Sequence, residues 1–342
     1  MEIVELRSDT FTRPTAEMRR AMADAEVGDD VWGEDPTAIA LEEHCADLFG
    51  TEAGLFVPSG TMGNEAAIRA LTRPGDGVVV ESTSHIVLYE LGGPAALSGV
   101  ALRGVAAMDG RMDPAEVRAI LDGAGGHGAP VSLVWMENTH NYRGGRILPL
   151  DHIRTLAELA HSAGARAYID GARIFNAAVS TGTPLRDYAA AVDALGFCFS
   201  KGLGAPIGSM VVGPADLIAE VRTARQLLGG GMRQVGILCA AARVALDTGI
   251  ERLAEDHANA RRLAEEWQDA LPGSVDLARV ESNMVFADVG TERCGRVVEA
   301  LAADGVLVAP ATPSTIRAVT HRDVSATGVD RAIRAFARAV SV

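Results

Sequence analysis

The stretch FCFSKGLGAPIGS, residues 197–209, joins two apolar runs through a glycine-containing turn and carries Lys201 between Ser200 and Gly202. Lys201 is the only lysine in the chain; of its 31 cationic side chains the other 30 are arginine. Charge and solubility are served equally well by either residue. Only the lysine amine can lose its proton in a buried site and attack a carbonyl, because a guanidinium stays protonated. A single amine retained at the end of an apolar run points to Schiff-base chemistry there, and the alternative is chance in a lysine-poor composition.

Working outward from this stretch, short apolar runs alternate with helical patterns. GLFVPSG (54–60) leads into a helix beginning at TMGNEAAIRALTR. GVVVES (77–82), VSLVWMENT (131–139), ARAYIDGAR (165–173), ALGFCFSK (194–201) and IGSMVVG (207–213) read as further buried strands. Strands separated by helix-length segments predict an α/β fold, with a mostly parallel central sheet covered by helices on both faces. The polar residues gather where the strands end, which is where open α/β sheets bind ligands. From about residue 214 helical periodicity takes over, a break at LPG (271–273) follows, and SNMVFADV, GVLVAP and TIRAVTH read as strands of a smaller α+β unit. The expected division is a large domain over 1–250, its N-terminal segment reaching the active site, and a small C-terminal domain over 251–342.

Bulk properties exclude several classes. A net charge of −14 and a pI near 5.0 argue against a general nucleic-acid or anionic-membrane binder. The four cysteines are dispersed, without a CxxC pair, so no metal site or disulfide frame is expected. The first residues carry charge where a signal peptide needs an apolar core, so a cytoplasmic protein is expected. GAGGHG (123–128) follows a helix instead of opening one, which disfavours a dinucleotide fingerprint.

A lysine Schiff base suggests pyridoxal 5'-phosphate (PLP), whose parts make separate demands. The ring nitrogen needs a carboxylate, and Asp170 ends a buried strand just before a glycine turn. The phosphate needs backbone N–H groups at a helix N-terminus, and Ser59, Gly60 and Thr61 stand between a strand and a helix. The ring wants a flat partner, and His85 follows a strand. His44, His152, His161 and His257 sit in amphipathic helices and are given no role.

The segments LRSDTFTRPT, VWGEDPT, FVPSGTMGN, HIVLYELGG, ENTHNYRGG, YIDGARIFNAAV, FSKGLGAPIGS, GGGMRQ and IRAVTH succeed one another as in threonine aldolases, and the resemblance spans roughly residues 5 to 330. It implies a fold-type-I PLP enzyme of the aspartate-aminotransferase-like architecture that cleaves L-threonine, L-allo-threonine and related β-hydroxy-α-amino acids. Residue by residue, it makes Lys201 the cofactor-binding lysine and Asp170 the partner of the pyridine nitrogen. Arg173 is placed near the cofactor's phenolic oxygen and the substrate carboxylate. His85 matches the histidine stacked on the ring, and Ser59, Gly60 and Thr61 fall in the phosphate cup. Ser8 and Arg317 match the groups holding the substrate carboxylate. Arg233 matches a phosphate-contacting arginine from a neighbouring subunit, which implies a site built across an oligomer interface, and the resemblance implies a homotetramer. His127 falls where a histidine faces the substrate β-hydroxyl, so His85, His127 or a water oriented by either is the candidate general base. A histidine stacked on a cationic ring is expected to have its charged form disfavoured. Trp32 replaces the family's usual tyrosine, and Phe11 a commoner valine. Alternatives are another PLP reaction on the same scaffold (a racemase, a β-eliminating lyase or a transaldolase) or a PLP-free α/β binding protein.

Overall fold

The computed structural model describes residues 3–123 and 128–341; His127 lies outside the described residues. In chain order the strands are β1 (Val4–Glu5), β2 (Ala53–Val57), β3 (Gly77–Glu81), β4 (Ala101–Val105), β5 (Val131–Glu137), β6 (Arg166–Asp170), β7 (Ala194–Cys198), β8 (Ser209–Gly213), β9 (Met284–Asp288), β10 (Val306–Leu307), β11 (Ala309–Pro310) and β12 (Thr315–Val319). Seven of them form the central sheet in the order β2-β8-β7-β6-β5-β3-β4. The run from β4 to β7 is parallel, and β8 is antiparallel to both of its neighbours.

All six runs read as strands before residue 214 are present, and β4 is an addition. Its sequence, ALRGV, is mostly solvent-exposed at the sheet edge, so it lacks the apolar run that marks the buried strands. The central strands are apolar throughout because successive side chains enter opposite cores. Val78, Val80, Leu133, Trp135, Tyr168 and Val211 pack on one face against the helices Gly60–Leu71 and Ala215–Leu227. Val79, Val134, Met136, Ile169, Met210 and Val212 pack on the other, with residues of the helices Pro36–Phe49 and Leu150–Ser162. Each such side chain taken out of water contributes about 1.5–3 kcal/mol, which overrides local propensity.

A third core joins Trp267 of the helix Leu253–Ala270, stacked on Phe336 with ring centroids 4.4 Å apart, to Val285, Ile316 and Leu301. It rests on the antiparallel sheet β11-β12-β9. Val4 and Leu6 belong to the same core, and β1 pairs in parallel with β10. That pairing carries residues 8–10 to the mouth of the central sheet, where β3, β5 and β6 end in Glu81, Glu137 and Asp170. The register sets Asp170 between Glu137 and Gly196. Among the described residues no helix is long and apolar enough to cross a membrane.

Candidate active site

Two cavities meet at the carboxyl ends of the parallel strands. The first, of about 420 Å³, is lined by Ser59, Gly60, Thr61, Asn64, Asp170, Cys198 and Ser200. The second, of about 330 Å³, is lined by Ser8, Tyr89, Asn141, Tyr142, Arg173, Phe286 and Arg317. Thr10, His85 and Lys201 line both. The lone lysine therefore stands in the shared wall of a cofactor-sized chamber and a chamber rich in arginine.

In the first chamber Ser59 caps the helix Gly60–Leu71 by accepting the Met62 N–H at 3.1 Å. The first-turn N–H groups of a helix have no partner within it and are ready donors to an anion. Gly60 is required by packing, since a Cβ there would lie 2.9 Å from Cys198 Sγ. Asp170 is buried; its Oδ2 accepts from Asn64 Nδ2 at 2.9 Å and its Oδ1 from the Ala172 N–H at 3.1 Å. Asn64 spends its other N–H on Glu90 Oε1 at 2.8 Å, and the same oxygen pairs with His85 Nδ1 at 2.7 Å. The His85 backbone N–H donates to Glu137 Oε2 at 2.6 Å, which fixes the short helix His85–Leu88 to the end of β5. Ligand atoms of His85, Glu90 and Asp170 lie within 4.8 Å of one another, but the Asn64 amide donates to both carboxylates and already pairs them without a cation.

The protein's own groups act on His85 in opposite directions. Burial pulls its pKa down, yet the Glu90 hydrogen bond and the charges of Asp170 and Glu137 outweigh it and leave the pKa above the usual histidine value. Glu90 lies within the quoted segment HIVLYELGG but has no periodic signal of its own; it lies five residues after His85, across a turn that returns the chain onto the ring.

In the second chamber Arg173 grips Asp9 in a two-pronged ion pair, Nε to Oδ2 at 2.7 Å and Nη2 to Oδ1 at 2.6 Å. Burial alone would raise the Asp9 pKa; the Arg173 charge and hydrogen bonds reverse this and hold it at about 2. Arg317 comes from β12, donates Nη2 to the Arg7 carbonyl at 2.9 Å, and shares the Asn141 side-chain oxygen with Arg173, each at 3.4 Å. Burial and the neighbouring Arg173 charge lower the Arg317 pKa, and its Nε is a buried donor without an acceptor. Both guanidinium groups line one cavity and only Arg173 is paired with a carboxylate, so the Arg317 charge suits the chamber to an anion. Ser8 accepts from the Thr10 hydroxyl at 3.0 Å and lies on the rim beside them.

The loop bearing Asn141 and Tyr142 is pinned from behind. Glu81 accepts from Arg143 Nη2 at 3.0 Å and pairs with His140 Nε2 at 2.9 Å. Of the site residues expected from sequence, Ser8, Ser59, Gly60, Thr61, His85, Asp170, Arg173, Lys201 and Arg317 converge on the two chambers. Arg233 does not; it is exposed and paired with Asp29 at 3.0 Å, outside both cavities. Trp32 is 75% exposed and lines neither cavity, and Phe11 lies at the surface beneath the Arg7 guanidinium, 4.2 Å from its ring centroid. Asp9, Asn64, Glu90, Glu137 and Asn141 are the polar residues that sequence reasoning missed. All five lie within the quoted segments LRSDTFTRPT, FVPSGTMGN, HIVLYELGG and ENTHNYRGG, and only their partners give them meaning.

The donor set fits PLP. There is a primary amine for its aldehyde, a buried carboxylate for its ring nitrogen, free helix N–H groups for its phosphate and an imidazole on the chamber wall. Fold and site together define a fold-type-I enzyme of the PLP-dependent class. Residues 5–290 match the beta-eliminating lyase family. A probable low-specificity L-threonine aldolase 2 of Arabidopsis thaliana is 43% identical, covering 97% of this chain and 96% of that protein. The low specificity L-threonine aldolase of Escherichia coli strain K12 is 40% identical, covering 94% of this chain and 95% of its own length. The solved structure of Leishmania major threonine aldolase superposes with a TM-score of 0.82 at 19% identity, covering 98% of this chain and 99% of that one, a likeness of fold. The chain belongs to the beta-eliminating lyase family and, within it, to the threonine aldolases.

Proposed function

We propose that this chain cleaves L-threonine, L-allo-threonine and related β-hydroxy-α-amino acids to glycine and an aldehyde with PLP as cofactor. The observation that carries the reading is the position of Lys201, shared between a chamber furnished for PLP and one furnished for a carboxylate. Bound there, PLP supplies an aldehyde for the substrate amine and a ring that takes up the electrons of the breaking bond. Lys201 holds and releases the cofactor. Asp170 keeps a proton on the ring nitrogen, and the N–H groups after Ser59 hold the phosphate. Arg317, with Arg173 and Ser8, orients the substrate carboxylate, which decides which bond at Cα is aligned to break. His85 takes the β-hydroxyl proton at Nε2, the ring nitrogen left free by its bond to Glu90.

The same reading makes the protein a cytoplasmic homotetramer in which Arg233 completes a neighbouring copy's phosphate site. Its exposed guanidinium, outside its own chamber and on a segment hydrogen-bonded to Asp30 beside the exposed Val31 and Trp32, supports the shared site. The decisive assay follows glycine and aldehyde release from L-threonine and L-allo-threonine. Racemised or β-eliminated product without aldehyde would overturn the reaction assigned.

Two substitutions test the roles. Replacement of Arg317 by glutamine is expected to raise KM for L-threonine about 10–100-fold, the value of a charged hydrogen-bonded contact, with a smaller change in kcat. His85→Asn is expected to lower kcat/KM about 10²-fold, as for loss of a positioned base. A base must be neutral to act, and the His85 pKa is raised, so wild-type kcat/KM should fall on the acid side from a pH above the usual histidine value of 6.5. That limb should be missing from the pH profile of His85→Asn; near-normal turnover in this variant would move the base role elsewhere.

A further inference from the structure

Behind the first chamber lies a carboxyl group that the reaction above does not use. Glu65 is buried on the helix Gly60–Leu71, and neither of its oxygens has a hydrogen-bond partner. Its carboxyl is within hydrogen-bonding reach of Glu90, whose Oε2 is likewise buried and unpartnered. Two carboxylates facing one another can satisfy none of these atoms, whereas one proton between them joins the two side chains. Burial raises the Glu90 pKa, but its Oε1 accepts from His85 Nδ1 and Asn64 Nδ2, which pull it back toward the ionised form; Glu65 has no such donor, so the proton falls to Glu65. Glu65 Oε1 lies against Gly93, where a Cβ would overlap it, so the close approach depends on that glycine.

We propose that Glu65 is a positioning residue of this site, a neutral carboxylic acid whose O–H donates to Glu90 Oε2 and so holds Glu90 as the anion that fixes the His85 imidazole and the Asn64 amide. The chain of contacts then runs from Glu65 through Glu90 and Asn64 to Asp170. Burial, followed by the Glu90 charge and hydrogen bond, pushes the Glu65 pKa up to about 8. The charged groups on neighbouring elements are engaged elsewhere. Arg69 on the same helix donates to the Leu97 carbonyl, Arg225 to Asp30 and the Phe56 carbonyl, and Arg222 to Glu42. Asp216 and Glu220 are exposed, the segment Gly93–Ser98 carries no titratable side chain, and the sheet contributes Cys198 and Tyr168.

The proposal rests on the aldolase reading only for its consequence in turnover, and its test uses the cofactor-free full chain. The infrared carbonyl band of a buried carboxylic acid should persist at neutral pH in the wild type, titrate away near pH 8 and be absent from Glu65→Gln. Glu65 binds its proton more tightly folded, at about 8, than unfolded, at 4.5, so the stability it contributes is present below pH 4.5 and lost as pH rises through 8. Glu65→Gln should therefore melt several degrees above the wild type at pH 8.5 and converge with it near pH 5. Imidazole nitrogen NMR gives the positioning readout. Glu65→Gln, which keeps a donor toward Glu90, should retain the raised His85 titration, and Glu65→Leu should lower it. A carboxylic band that persists in Glu65→Gln, the absence of any band titrating between pH 7 and 9, or identical His85 titrations in the Gln and Leu variants would each overturn the assignment. If these titrations hold while the wild type releases no aldehyde, the reaction class fails and the Glu65 assignment stands.

Discussion

Lys201→Ala is expected to lower aldehyde release from L-threonine by about 10³-fold or more, because no other residue can supply its chemistry. The remaining cations are arginines, and a guanidinium cannot become a nucleophile. Arg173 and Arg317 also line the substrate chamber, but the first is bound to Asp9 by two hydrogen bonds and the second is tied to the Arg7 carbonyl. Lys201→Arg should be as inactive as Lys201→Ala, which separates loss of the amine from loss of the charge. A second measurement locates the amine directly. Borohydride treatment of the PLP-loaded wild type should label the peptide carrying Lys201, and a label on any other peptide would sink the assignment.

Asp170→Asn should lower kcat about 10²–10³-fold, the usual loss when one preorganised electrostatic contact is removed, while the protein stays folded. The amide is nearly the same size and can still accept the Ala172 N–H. At the other position its NH2 group meets the NH2 of Asn64, which now donates to Oδ2 at 2.9 Å. The change deletes a charge that would keep the ring nitrogen protonated and sets two donors against each other. Steady-state kcat with L-threonine, beside thermal melting of the cofactor-free protein, distinguishes these effects. A variant that melts normally and keeps kcat within about threefold would show that this carboxylate does not serve the ring nitrogen.

The fold was largely legible because its physical causes are local. Strands buried on both faces must be apolar at every position, and GVVVE, VSLVWME and ALGFC state this without help from neighbours. The edge strand Ala101–Val105 has no such obligation, and its Arg103 and Gly104 hide it. The candidate site was legible where chemistry demands one residue type at a strand end, as at Lys201 and Asp170, or a glycine beside a helix start, as at Gly60.

The support of the site had no such signature. Glu90, Asn64, Glu65, Asp9 and Asn141 are ordinary polar residues until the chain brings them together, and the contacts that define them join residues 26, 106 or 164 positions apart. The raised pKa of His85 was hidden for the same reason. A pKa reports the charges around a group in space, and two of the carboxylates that raise this one, Glu137 and Asp170, come from separate strands. The sequence alone thus determined the buried strands of the sheet, its ligand-binding edge and the candidate amine, because apolar burial and amine chemistry are properties of single residues and short runs. Tertiary structure alone decided which carboxylates are buried together, which arginine is already bound to an acid and which is not, because charge and hydrogen-bond satisfaction belong to pairs of residues that only folding brings within reach.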